Sequence, residues 1–119
     1  MMFDAAEFLK ALSDETRLRI MCLLYQNEMC VCEICDITGE SQPKVSRHLA
    51  KLRDANLVRD ERQSQWVFYY INLNNKMATE IMDAIKNNID KSPILKSDSE
   101  KMIFKVNQNK MCKREVKIK

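Results

Sequence analysis

Apolar residues recur at three- and four-residue spacing through most of the first 90 positions, and a strand-like stretch interrupts them once. The spacing predicts a first helix from about Phe3 to Leu12, with Phe3, Ala6, Leu9 and Leu12 along one side. Ser13 or Asp14 can cap a second helix whose apolar positions include Leu18, Ile20, Met21, Leu23 and Leu24. A third, short helix opens in the run EMCVCEICD, residues 28–36, and Gly39 suits its left-handed C-terminal cap. Ser41 caps a fourth helix, Gln42 to about Ala55, with Pro43 in its first turn and Val45, Leu49 and Leu52 facing inward. Leu57–Arg62 and Gln65–Ile71 then flank the polar pair Gln63-Ser64, and the second of these runs, WVFYYI, is dense in aromatic and β-branched residues. A fifth helix from about Asn75 to Ile89 carries Met77, Ile81, Ile85 and Ile89 at four-residue spacing.

After Ser92-Pro93 the rhythm dissolves into lysines, asparagines and scattered apolar residues. The expected organisation is therefore a mainly helical domain over residues 1–92 and a basic, loosely ordered tail over 93–119. A short helix or strand around Ile103 to Val106 is the only order expected in that tail. Charge sharpens the division. Residues 1–90 hold 11 Lys/Arg and 14 Asp/Glu, whereas residues 91–119 hold 9 and 3, and such a basic tail is compatible with a nucleic-acid partner.

Two short helices joined by a tight turn, then a hairpin, make a winged helix-turn-helix of five helices and a two-stranded wing. In the expected recognition helix, SQPKVSRHLAKLR, the exposed early turns offer Gln42, Lys44, Ser46, Arg47 and His48, with Lys51 beyond them and no acid before Asp54. Gln pairs with adenine edges and Arg with guanine edges, while Ser and Lys suit phosphates. Arg59 and Arg62, placed near the hairpin tip, are candidates for an adjacent groove or backbone. The competing reading is a solvated amphipathic helix and a plain structural sheet.

The segments ALSDETRLRIMCLL, EMCVCEICDITGESQPKVSRHLAKLRDANLV and WVFYYIN closely resemble the ArsR/SmtB family of metal-responsive repressors, over about residues 3–90. The cysteine run is similar to that of the arsenite-sensing branch. The resemblance implies a homodimer with first and last helices at the interface, an operator of double-stranded DNA with dyad symmetry, and release from DNA when the inducer binds. Two features depart from the family: the hairpin tip lacks the glycine often found there, and the segment after Lys91 lies outside the common core.

Five cysteines are present, three of them at Cys30, Cys32 and Cys35. The N-terminus lacks a cationic, apolar signal pattern and no apolar run is long enough to span a bilayer, so a cytoplasmic location with reduced thiols is expected. There the cysteines read better as ligands than as disulfides. On a helix Cys32 and Cys35 point within about 60° of one another, whereas Cys30 lies about 160° from Cys32. The three sulfurs therefore converge only if the chain near Cys30 is unwound, and ligand binding would then pull on the start of that helix. Thiols at a helix N-terminus are also expected to have lowered pKa values.

Three sulfurs without an obvious fourth ligand suit the pyramidal coordination of As(III) or Sb(III), or of Bi(III), whereas Zn(II) usually takes four ligands in a tetrahedron. The one histidine, His48, falls on the recognition helix. The zinc-sensing relatives carry a histidine-containing site on the last helix, and the cadmium/lead branch adds N-terminal cysteines; neither is present here. Cys22 reads as core and Cys112 as a bystander, although as a fourth ligand Cys112 would admit Cd(II) or Zn(II). The alternatives are three small buried hydrophobes, a thiol redox switch, or a Cd/Zn-responsive regulator using the same cysteines. Nothing in the sequence points to an enzyme: no thioredoxin-like context surrounds the cysteines, and no Ser/His/Asp set or carboxylate pair stands out.

Overall fold

Four of the five helices in the first 90 residues begin where a short polar side chain, Asp4, Asp14, Ser41 or Asn75, takes up a free backbone N–H. In the computed structural model, which describes residues 3–108 and 111–112, helix α1 spans Ala5–Leu12, and Asp4 accepts from the Glu7 N–H at 3.1 Å. Asp14, rather than Ser13, caps helix α2 (Glu15–Gln26), accepting from Arg17 N–H at 3.0 Å. A short strand β1 (Met29–Cys30) leads straight into helix α3 (Val31–Thr38), which Gly39 ends at φ +76°, a left-handed conformation that costs glycine nothing. Ser41 and Pro43 open helix α4 (Gln42–Asp54) as their types predict.

Strands β2 (Val58–Gln63) and β3 (Trp66–Ile71) form the wing, with Gln63 paired to Trp66. The turn is therefore Ser64-Gln65, one residue later than expected, and Ser64 takes the left-handed position (φ +58°) that a glycine would otherwise fill. The sheet also has a third strand that the pattern did not predict. β1 pairs antiparallel with β3, Met29 opposite Tyr69 and Cys30 opposite Phe68, giving the order β1-β3-β2. Helix α5 (Lys76–Asn87) follows, capped by Asn75, whose side chain accepts from Ala78 N–H at 3.2 Å.

The chief departure lies beyond residue 92, where a loosely ordered tail was expected. Residues Pro93–Asn107 instead form a 15-residue helix, α6, with Pro93 in its first turn. It lies against α2 and α3, and Leu95, Asp98, Ser99 and Met102 are its buried positions, a helical stripe in which two of four members are polar. Those polar members are satisfied. Ser99 donates to Gln26 Oε1 at 2.9 Å. Asp98, 2% exposed, takes two hydrogen bonds from the Arg19 guanidinium: Nε donates to Oδ2 at 2.8 Å and Nη2 to Oδ1 at 2.9 Å. Arg19 Nη2 also donates to the Thr38 carbonyl at 2.9 Å, and Nη1 reaches Glu40 Oε2 at 3.4 Å. Met111, beyond the end of α6, packs at the edge of the core. Residues 109, 110 and 113–119 of the expected tail lie outside the described residues.

The core itself is continuous: Phe8, Ile20, Leu23, Met29, Ile34, Leu49 and Met82 are buried together between the helices and the sheet. Among the described residues no helix is long and apolar enough to cross a membrane.

Removing the Asp98 carboxylate would strand a buried guanidinium. We expect Asp98→Ala to lower the unfolding free energy by about 3 kcal/mol, the lower end of the range for breaking a buried pair, because Thr38 and Glu40 still engage Arg19. Denaturant-induced unfolding of the full chain checks this.

Candidate functional site

Cysteine sulfurs gather where α3 begins. Cys30 is the last residue of β1 and the N-cap of α3, with extended backbone (φ −87°, ψ 170°), and Cys32 sits in the first turn. Because Cys30 is outside the helix, the angular conflict expected of a regular helix does not arise: its sulfur lies 2.9 Å from that of Cys32, with no unwinding needed. The third sulfur of the group is not that of Cys35. It belongs to Cys112, beyond the end of α6, at 3.3 Å from Cys30 and 3.4 Å from Cys32. Cys35, the expected third ligand, lies farther along α3, half-buried and outside this cluster, and Cys112, expected to stand apart, takes the third place. Cys22 is buried in the core as expected.

Two features hold the triangle. Phe68 and Cys30 are buried together, with Trp66, Tyr70 and Cys112 packed around them, so the wing forms one wall. The other is Glu33, 2% exposed, whose Oε1 accepts from Cys30 N–H at 3.0 Å and whose Oε2 accepts from the Cys112 N–H.

Cys30, at the N-terminus of α3, does not show the lowered pKa expected there. Burial pushes Cys30 well above the ordinary thiol range, and the neighbouring Cys32 thiol adds to the effect. Burial likewise pushes Cys112 up to about 11 and raises Cys35. Desolvation of a thiolate outweighs the helix terminus here. A soft cation bound to such a triangle replaces the thiol protons and neutralises the thiolate charge that burial penalises.

Eight residues after Cys30, α3 ends at Thr38, and the turn to α4 follows at once. On α4 the expected DNA-facing positions divide. Gln42, Ser46, Arg47 and Lys51 are exposed, as is Arg62 on the wing. Arg62 lies next to the wing tip, opposite Val67, while Arg59 sits nearer the base, opposite Tyr70. Lys44 is partly covered and paired with Glu40 at 3.1 Å. His48 is not on the exposed face: it is 6% exposed, with Nδ1 3.4 Å from Arg17 and Nε2 3.9 Å from Asp14, and burial lowers its pKa. Its place beside Val45, Leu49 and Leu52 on the helical wheel was available in the sequence and puts it on the inner stripe.

Residues 14–60 match the model of the family described as bacterial regulatory protein, arsR family. The chain is similar to an arsenic resistance transcriptional regulator of Pseudomonas putida, 47% identical over 72 residues that cover 60% of this chain and 63% of that protein. It is also similar to the arsenical resistance operon repressor of Escherichia coli, 50% identical over 64 residues covering 53% and 55% respectively. The chain thus spans less than two thirds of the length of these relatives. Among solved structures, HlyU from Vibrio cholerae superposes with a TM-score of 0.64 at 34% identity, covering 70% of this chain and 88% of that one.

The site geometry sets an order of thiol reactivity. Cys32, the exposed member, should be alkylated first by a small haloacetamide, and buried Cys30 and Cys22 last, since burial raises both thiols and blocks access. Timed alkylation followed by peptide mass spectrometry checks the order.

Proposed function

The chain belongs to the arsR family of bacterial regulatory proteins, and from that premise we propose that it is a metalloid-responsive transcriptional repressor, not an enzyme. In this reading a homodimer holds operator DNA through α4 and the wing, and is released when As(III) or Sb(III) binds Cys30, Cys32 and Cys112. The observation that carries it is the triangle of sulfurs 2.9, 3.3 and 3.4 Å apart at the start of the helix that leads into the recognition helix.

The donor set fits a trivalent metalloid better than zinc. Tetrahedral Zn with bonds of about 2.3 Å spaces its sulfurs about 3.8 Å apart and needs a fourth ligand. This triangle is tighter, and among the described residues no fourth His, Cys, Asp or Glu atom joins the cluster. As(III) and Sb(III) supply a soft, lone-pair-bearing centre that takes three thiolates in a pyramid. The names of the Pseudomonas putida and Escherichia coli relatives support the same inducer class. Trp66 and Phe68 keep water from one side, and Glu33 orients the backbone on the other.

The signal has a short route to DNA. Cys30 and Cys32 define the beginning of α3, and the far end of α3 is the helix-turn-helix turn. Cys112 brings in α6, which is joined to that same turn through Asp98, Arg19 and Thr38. Closing the sulfurs on one ion therefore constrains α3 at its start and, through α6, at its end. For the DNA contact itself, Gln42, Ser46, Arg47 and Lys51 face outward together, with Arg62 on the wing, and Lys44 joins them if it leaves Glu40. Ile81, Ile85 and Ile89 on and after α5 are only partly covered within one chain, which supports a second copy as their partner.

Three measurements test the reading. Arsenite added to fluorescently labelled operator bound by the full chain should release the DNA, with inducer–DNA coupling of roughly 1–3 kcal/mol. Cys32→Ser and Cys112→Ser should bind operator normally yet stay bound when arsenite is added, whereas Cys35→Ser and Cys22→Ser should respond like the parent. Response to Cd(II), Zn(II) or peroxide in place of arsenite would assign the cysteines to the alternative regulators. Separately, Arg47→Ala should weaken operator binding by about 1–3 kcal/mol with folding unchanged, if Arg47 reads a base. Ile85→Asp should give monomer without operator affinity, seen by light scattering, because it places an unpaired charge in the proposed interface.

A further inference from the structure

We propose that Glu33 is the positioning residue that recruits Cys112 into the sulfur triangle and so decides which cysteine is the third ligand; this rests on reading Cys30, Cys32 and Cys112 as the metalloid site. Cys30 and Cys32 are neighbours in the chain and meet through local backbone geometry alone. Cys112 is 82 residues from Cys30 and five residues past the end of α6, so something must hold it there. The carboxylate of Glu33 is placed to do so. Its two oxygens are divided between the two halves of the site, Oε1 taking the Cys30 N–H and Oε2 the Cys112 N–H.

A carboxylate is suited to this task in a way that its amide is not. It presents acceptors on both oxygens, while a glutamine presents one acceptor and one N–H₂ donor. Bonds from backbone N–H to a carboxylate are also the stronger, charge-assisted kind, and Glu33 is 2% exposed, so water does not compete for them. Glu33 is not a member of the sulfur cluster; it fixes the backbone on which two of the three sulfurs are carried. Glu33→Gln keeps the volume and can keep the α3 cap through its oxygen, but then turns an N–H₂ toward the Cys112 N–H, donor against donor. The substitution therefore expels Cys112 and leaves Cys30 and Cys32 in place.

The test uses the full chain, inorganic arsenite, and the variants Glu33→Gln, Cys112→Ser and their combination. X-ray absorption at the arsenic edge counts sulfur neighbours, and equilibrium dialysis gives affinity. Three sulfurs are expected in the parent and two in each of the three variants. Each single substitution should weaken arsenite binding by at least about tenfold, the loss of one charge-assisted contact or one sulfur. The combination should be no weaker than Cys112→Ser alone, because both substitutions remove the same ligand. Three sulfurs and parental affinity in Glu33→Gln overturn the proposal and leave the ligand set standing. Additive losses in the combination also overturn it, since Glu33 would then be serving Cys30 rather than Cys112. Three sulfurs in Cys112→Ser overturn the ligand set itself. Should Glu33→Gln fail to fold, amide exchange in the parent decides: the Cys112 N–H should exchange at least about a hundredfold more slowly than a free peptide, and a free-peptide rate overturns the proposal.

Discussion

Arg19 is the residue around which this architecture is organised. The residue is 7% exposed, and its guanidinium donors point in three directions: to both carboxylate oxygens of Asp98 on α6, to the Thr38 carbonyl at the end of α3, and to Glu40 in the turn before α4. Burying a charge is expensive unless every donor finds an acceptor in good geometry, and the fork of a guanidinium demands acceptors at fixed directions. That demand works as a constraint on backbone. The end of α3, the turn and α6 can satisfy it only in one mutual arrangement, so the helix-turn-helix is set against α6 as well as against the apolar core. Nonpolar packing alone would leave the angle between these helices softer.

Helix α3 is consequently held at both ends by buried polar groups. Arg19 fixes its last carbonyl region, and Glu33 with Cys30 fixes its first turn. With eight residues it is only about 12 Å long. A change in the sulfur triangle is thus about two turns from the turn that orients the recognition helix. The wing is part of the same unit: β1 both pairs with β3 and delivers Cys30, so the sheet and the sulfurs share a wall.

Most of the winged helix-turn-helix was legible because its signals are local. Asp14, Gly39, Ser41, Pro43 and Asn75 each mark a helix end by chemistry that acts within three or four residues. The parts that escaped are those where a polar residue occupies an inward position for the sake of a distant partner. Helix α6 has a regular buried stripe, but Asp98 and Ser99 stand in it, matched to Arg19 and Gln26 some 70 to 80 residues earlier, and hydrophobic periodicity cannot see such pairs. Strand β1 is two residues long and owes its state to β3 alone. Cys112 escaped for the same reason, since spacing within a helix compares Cys30, Cys32 and Cys35 with each other and ignores a sulfur brought in by tertiary structure. His48 is different. Its position among Val45, Leu49 and Leu52 puts it on the buried stripe, and only its basic character suggests the exposed face.

The closeness of the three sulfurs bears on how such a site could regulate anything. A ligand moves a conformational equilibrium only by the difference between its affinities for the two states. In the conformation described, the three sulfurs already lie within 3.4 Å of one another, so an ion binding here would spend little on gathering them. The arrangement is therefore the one that an ion favours. If the protein does respond to a bound ion by leaving DNA, the DNA-bound state must be one in which this triangle is looser, with Cys112 the member free to depart because only tertiary contacts bring it in. Linkage then runs in both directions: DNA weakens the hold on the ion by pulling α3 and α6 apart, to the same extent that the ion weakens the hold on DNA by keeping them together.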